Sequence, residues 1–327
     1  MKIFLHIGAG KCGSSSIQNY LTYNNRLSER KCYATIDVDG SIALGEKLIN
    51  RAKANIFDYS SSVSLRHLDD GFKKKLKNSL ELLSHNYDEV IFSNEGWLEE
   101  IDKFSLLDDV FNGYVVEVIF IVRSPVEWIN SAWWQWGQWS GHKLDDWINA
   151  QIPKVKWYDY YNNWNSLPYI SKVNVFSLST DILYEISQLI DFKYIPNERQ
   201  ANASSDYRLL RFFKLARELR KDEHSPHIEF SLNRYLTSIG KPDWVISKKN
   251  IGAILSLSSK SSAAMKELII NSNIEKDDRW WGNGYYKFIE SKLNIDADLE
   301  KKELIEMLKE AYIVIHELDK TIRSKSN

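Results

Sequence analysis

Residues 2–18 read KIFLHIGAGKCGSSSIQ, and the fold turns on how this stretch is read. An apolar run passes through His6 and Ile7 into a loop with glycine at 8, 10 and 13. It then enters SSSIQNYLTYNNRL, where Ile17, Leu21 and Leu27 mark one helical face. That is strand, tight loop, helix. In a parallel sheet such a loop presents several backbone N–H groups and the positive end of a helix dipole to one anion. Gly8, Gly10 and Gly13 permit close backbone approach, Ser14, Ser15 and Ser16 add hydroxyl donors, and Lys11 adds a full charge. Everything donates and little accepts, which suits a phosphate. The nucleotide-hydrolase loop G-x-x-x-x-G-K-[ST] places its lysine directly before the hydroxyl that holds magnesium, whereas Lys11 precedes Cys12 and Gly13. Taken alone, the stretch also fits an ordinary strand-to-helix turn.

DEVIFSNEGW (88–97) holds a second short strand at Val90 to Ser93, whose polar end arrives at Asn94 and Glu95. YVVEVIFIVRSP (114–125) holds a third, Val115 to Val122, apolar except at Glu117 and stopped by Arg123 and Pro125. VNVFSLS (173–179) fits as a fourth. Short continuous apolar runs alternating with helical segments predict an α/β, P-loop-like fold, a central parallel β-sheet flanked by helices. Pro125 opens a helix over PVEWINSAWWQWGQWSG, with Gly141 as its stop. Beyond about residue 200 the pattern turns helical, in DYRLLRFFKLARELRK, NIGAILSLSSKSSAAMKELIINS and DLEKKELIEMLKEAYIVIHELDKTIRS. The expected organisation is an α/β core over 1–200 and a helical C-terminal extension over 201–327, with no flexible linker between them.

Composition narrows the partners. Lys and Arg total 43 against 44 Asp and Glu, a net charge of -1, so no overall field draws the chain to nucleic acid or an anionic membrane. No stretch approaches the roughly 18 apolar residues of a membrane span, and the N-terminus is too short and polar for a secretory signal. Cys12 and Cys32 suggest neither a disulfide framework nor a metal knuckle, which favours a reducing compartment, the cytoplasm. The 12 tryptophans are the oddity, four of them in SAWWQWGQWSG. Aromatic packing accounts for most such residues, and several beside a cleft would suit sugar rings.

With HIGAGKCGSSSIQ and VRSPVEWINSAWWQ both in hand, the chain resembles the sulfotransferases that use 3′-phosphoadenosine 5′-phosphosulfate, and among them the bacterial carbohydrate type. Their first motif follows a strand as H-I-G-x-x-K-T-G-T-T-S-x-Q. His6, Ile7, Gly8, Lys11, Gly13, Ser16 and Gln18 match it, while Cys12, Ser14 and Ser15 replace threonines. Their second motif, R-x-P-x-x-x-x-x-S-x-[YW], is met by Arg123, Pro125, Ser131 and Trp133. GHKLDDWI, YDYYNNW, VNVFSLSTDILYEISQLIDF and NASSDYRLLRFFKL extend the likeness to about residue 220.

The resemblance implies that Gly8, Lys11, Cys12, Gly13, Ser14, Ser15 and Ser16 bind the 5′ end of the donor. Arg123 and Ser131 would take its 3′-phosphate, for which a planar guanidinium is suited. Arg199 and Asn202 would lie on a loop against the nucleotide. The implied reaction is in-line transfer of a sulfuryl group to an acceptor hydroxyl, on a saccharide, releasing 3′-phosphoadenosine 5′-phosphate. Lys11 would stabilise the leaving oxygen, with no metal required. The base is open among Glu95, His6 and His142, in that order, with a helix cap or a pairing with a lysine as the other readings of Glu95. The helical region completes the domain or the acceptor cleft. Two other readings stand beside this one: a nucleotide or sugar kinase with a variant loop, and a noncatalytic module that binds nucleotide or glycan. The acceptor's identity and the oligomeric state are not legible.

Overall fold

The computed structural model describes residues 1–66, 68–196, 207–220, 222, 228–229, 244–282, 284–287 and 297–325. Its centre is a five-stranded sheet in the order β2-β5-β1-β6-β7, every neighbouring pair parallel. The strands are β1 (Lys2–Gly8), β2 (Lys31–Tyr33), β5 (Glu89–Ser93), β6 (Val115–Val122) and β7 (Ile170–Ser177). A two-stranded antiparallel ribbon, β3 (Thr35–Ile36) with β4 (Ile42–Ala43), stands apart.

Continuous apolar runs form these strands because helices cover both sheet faces and leave no solvated side to demand alternation. Ile3, Phe4, Leu5 and Ile7 of β1 are all buried, as are Val118 through Val122 of β6. Glu117 is the polar interruption. Lys2 Nζ meets its carboxylate at 2.7 Å and Asn174 Nδ2 donates to it at 2.8 Å, so the charge is paired at the sheet's amino end.

The main helices are α1 (Ser14–Tyr23), α2 (Glu46–Ala54), α3 (Asp70–Ser84), α4 (Pro125–Gln135), α5 (Leu144–Gln151), α6 (Trp157–Asn165), α7 (Ile182–Ile190), α8 (Tyr207–Leu215), α9 (Lys248–Met265) and α10 (Ala297–Lys325). The four strands expected from the sequence are present, with β7 beginning three residues earlier than its apolar run suggested. β2 went unread because three residues show no period. The tryptophan helix also ends sooner than Gly141. Gly137 sits where a Cβ would lie 2.3 Å from Trp133 and 2.8 Å from Trp147, and the chain leaves α4 there in a 3-10 turn, Gly137–Trp139. Only glycine lets the backbone pass between those indoles.

Beyond residue 200, α9 packs on α4 and α6, and the Ile270 N–H donates to the Val175 carbonyl at 3.0 Å. Val245, Ile246, Ile254, Met265 and Trp280 share the core of the sheet. Separately, α10 lays Leu304 and Met307 on Leu209 and Phe213 of α8, flanked by ion pairs Arg208–Glu310 and Arg211–Glu303. Among the described residues no helix is long and apolar enough to cross a membrane.

Candidate active site

All strands of the central sheet point the same way, so Gly8, Ser93, Val122 and Ser177 end at one edge of it, where ligands of open α/β sheets bind. The loop from Ala9 to Gly13 crosses that edge between β1 and α1. Gly8 at φ 106° and Gly13 at φ 87° adopt backbone that side-chain-bearing residues avoid. A Cβ on Gly8 would lie 2.7 Å from the Glu95 carbonyl oxygen, so the loop and the Asn94–Glu95 corner approach as only glycine allows.

The carbonyls of Ala9 and Gly10 are occupied. The Ala9 oxygen accepts from the Ser14 hydroxyl at 3.1 Å and the Cys12 N–H at 3.2 Å, and Trp128 Nε1 donates to the Gly10 oxygen at 2.7 Å. With the Ala9 and Gly10 carbonyls turned back into the protein, the amino end of α1 opens the rim to an anion. Gly13 caps α1 without any side-chain bond. From the other side, Trp136 comes within 3.3 Å of where a Gly10 Cβ would stand. The tryptophan helix is therefore the brace of the loop.

Three charged groups share this rim. Lys11, half-buried and itself at φ 63°, donates to Gln135 Oε1 at 2.6 Å. Burial draws its pKa below the usual lysine value, while the Glu95 and Glu229 carboxylates oppose that and the Arg123 charge adds to it. Burial raises the Glu95 carboxyl, and Lys11 counters it. Glu95 opens a 3-10 turn, Glu95–Glu99, but does not cap it: Asn94 accepts the Gly96 N–H at 2.7 Å. The carboxylate is left facing Lys11 and the loop.

Arg123 comes directly after β6, its carbonyl held by Trp157 Nε1 at 2.8 Å. Its side chain meets Glu127 Oε2 at 3.4 Å, and Glu127 also faces Ser124 at 3.2 Å, Tyr285 at 3.3 Å and Arg279 at 3.8 Å. Glu127 and Ser131, four residues apart in α4, share a helix face, and Arg123, just before the helix, reaches Glu127.

The remaining candidates separate. His6 is 1% exposed, and its Nδ1 lies 2.7 Å from the Ser93 hydroxyl, which also accepts from Gln18 Nε2 at 3.0 Å. Burial lowers its pKa to about 4, so the ring is neutral and braces β1, β5 and α1 beneath the loop. Cys12 is wholly buried in the core cluster, its thiol pushed up to about 12 by burial. Ser14 is spent on the turn, whereas Ser15 and Ser16 stay half-buried at the rim. His142 lies on a cleft of about 450 Å³ lined by Ser140, Asp146, Trp147, Ala150 and Gln151. Arg199 and Asn202 lie outside the described residues.

The sequence reading missed Trp128, Gln135 and Glu127, which stand inside stretches already quoted but act across the sheet edge. It also missed Tyr59, whose hydroxyl is within hydrogen-bonding reach of Ser15 and is raised to about 12 by burial and then by the Glu95 charge. Among the described residues no group of three or more His, Cys, Asp or Glu is arranged to hold a metal ion.

No protein-family model and no curated protein matches the chain. The crystal structure of a sulfotransferase from Alicyclobacillus acidocaldarius is similar at a TM-score of 0.38 and 11% identity, over 81% of this chain and 94% of that one. A likeness this distant carries no argument about function, which rests on the residues at the rim.

Proposed function

We propose that the protein is a sulfotransferase that uses 3′-phosphoadenosine 5′-phosphosulfate and sulfates a hydroxyl of a saccharide. The carrying observation is the meeting of Lys11, Glu95 and Arg123 at the glycine loop, on the carboxyl edge of a parallel sheet. The donor set fits the nucleotide. Backbone N–H groups, Lys11, Ser15 and Ser16 suit the 5′ end, and Arg123 with Ser131, either side of Glu127 along the chain, suits a second phosphate, which would replace the Glu127 carboxylate as the arginine's partner. Bound there, the donor would supply an activated sulfuryl group on a phosphate leaving group.

Lys11 places positive charge where the leaving oxygen gains electrons, which favours the transition state over the ground state. Glu95 takes the proton of the attacking hydroxyl. Its raised pKa makes it a stronger base, and Lys11 partly offsets the burial that raises it. His6, neutral and walled in, supports the loop rather than the proton transfer. The saccharide would reach the rim past the Ser140–Gln151 cleft, five residues along the chain from Gln135, where Trp147 meets Asp146, His142 and Gln151.

Thermal shift separates this reading from a kinase. A ligand that binds only the folded state raises its melting temperature, so 3′-phosphoadenosine 5′-phosphate should stabilise the protein well beyond adenosine 5′-phosphate or ATP with magnesium. Turnover of the sulfated donor should vanish in Lys11→Ala and fall at least about 100-fold in Glu95→Gln. Stabilisation by ATP with magnesium and none by the bisphosphate overturns the assignment.

A further inference from the structure

Lys11 carries the proposed reaction on the most flexible of stems, so something must hold its ammonium. Gln135 Oε1 takes one of its three N–H bonds at 2.6 Å. Gln135 is the last residue of α4, and its own carbonyl accepts from Arg220 Nη2 at 2.7 Å. Arg220 in turn is fixed on three sides. Its Nη1 meets Glu229 Oε2 at 2.8 Å, its Nε donates to the Asp222 carbonyl at 3.2 Å, and its guanidinium lies 4.4 Å from the centre of the Trp139 ring. The side chains of Arg220 and Glu229 are 1% and 8% exposed. A buried ion pair rarely contributes net stability over an apolar pair, and its best-attested use is to specify geometry.

We propose that Gln135 and the buried Arg220–Glu229 pair are positioning residues for Lys11, so that the chain beyond residue 200 sets the direction and the protonation of the lysine at the loop. This rests on the reading of Lys11 as the group that meets the leaving oxygen. Gln135 aims the ammonium and leaves two N–H bonds for the ligand. Arg220 fixes Gln135 through the backbone, and Glu229 acts through space. The charged and titratable groups facing Lys11 are Glu95 and Glu229, which work against the lowering by burial, Arg123, which adds to that lowering, and the Cys12 thiol. Removing Glu229 leaves one carboxylate against burial and Arg123.

The test uses the full chain and needs no turnover for its first readout. Competitive acetylation with acetic anhydride across a pH series, read on the Lys11 peptide by mass spectrometry, gives the midpoint at which Lys11 loses its proton. In Glu229→Gln the midpoint should move down by about one pH unit. In Gln135→Met, which keeps the volume and removes the acceptor, it should also fall. The same variant should lose about tenfold in kcat while the KM for donor stays within about threefold, since aim is lost and not binding. A purely structural role would lower the melting temperature without moving the midpoint. An unchanged midpoint in both variants overturns the proposal, as does an unchanged kcat in Gln135→Met. If Glu229→Gln does not fold, Gln135→Met at the half-buried helix end decides alone. Absence of sulfuryl transfer by the wild type overturns the functional reading, and the labelling midpoints still decide the positioning.

Discussion

At the scale of single residues, the site contrasts two titratable groups that burial treats differently. Glu95 is raised by burial, and a facing lysine partly offsets the shift. His6 has only neutral partners, Ser93 and through it Gln18, so nothing offsets its desolvation and the ring sits near pKa 4. The consequence is a stability that depends on pH. A histidine whose folded pKa lies below its unfolded value of 6.5 contributes fully above pH 6.5, and that contribution drains away as the pH falls towards 4, because the unfolded chain binds a proton the native state refuses. Across that window the loss is about 3 kcal/mol. Urea denaturation at pH 7 and pH 4.5 should therefore show the wild type losing more stability on acidification than His6→Gln, which lacks the titrating group. Parallel losses in the two proteins would mean that the imidazole is already protonated or already exposed. The same comparison bears on its chemical role, since a ring this hard to protonate is a poor shuttle at neutral pH.

At the scale of elements, the tryptophan helix is the part whose meaning changed most between sequence and structure. Its residues read as packing or as a sugar platform, and some do pack: Trp133 meets Trp147 edge to face with ring centres 5.5 Å apart. But Trp128 spends its N–H on the Gly10 carbonyl and leans on Trp157, whose own N–H holds the Arg123 carbonyl. One aromatic pair thus ties together both motifs, the glycine loop and the arginine at the strand tip. Trp128→Phe keeps most of the ring and drops that donor. It should cost about 1 kcal/mol in thermal stability and weaken 3′-phosphoadenosine 5′-phosphate several-fold by calorimetry, with the loop carbonyl freed to turn toward the anion. Unchanged affinity would show that the loop holds its shape unaided. Four of the sheet's five strands and the loop were legible because each is a local pattern: a short apolar run, glycines at set intervals, a proline at a helix start. The brace was not, because Trp128 and Gly10 are 118 residues apart and no periodicity encodes a contact across a sheet edge. Gly137 was passed over in part for the same reason, since its Cβ would meet Trp147, ten residues on and in another helix, as well as Trp133.

At the scale of the whole molecule, the question is whether the α/β core could stand without the chain beyond residue 200. The sheet's exposed edge past β7 argues against it. Val175 bridges to Ile269 in parallel register, the Ser177 N–H and carbonyl are both satisfied by the Asn271 amide at 2.7 and 2.8 Å, and Asn271 also donates to Glu185 of α7. Cutting the chain at 200 strips those partners from a buried strand. It also uncovers apolar surface on α4 and α6 that α9 now seals with Ile251, Ile254 and Met265, each nearly inaccessible. At about 25 cal/mol per Å² of apolar area, losing several such side chains is of the order of a domain's entire net stability. A fragment of residues 1–200 is therefore expected to lack a cooperative unfolding transition in urea. A chain ending at 287 keeps α9 and the Asn271 contacts, and it should unfold cooperatively, though with a lower midpoint, because Leu209 and Phe213 lose the cover of Met307. Circular dichroism through a urea series on the two truncations checks both halves. If residues 1–200 unfolded as sharply as the full chain, the segment beyond would be an appendage, and its hold on Gln135 a contact of convenience rather than part of the machinery.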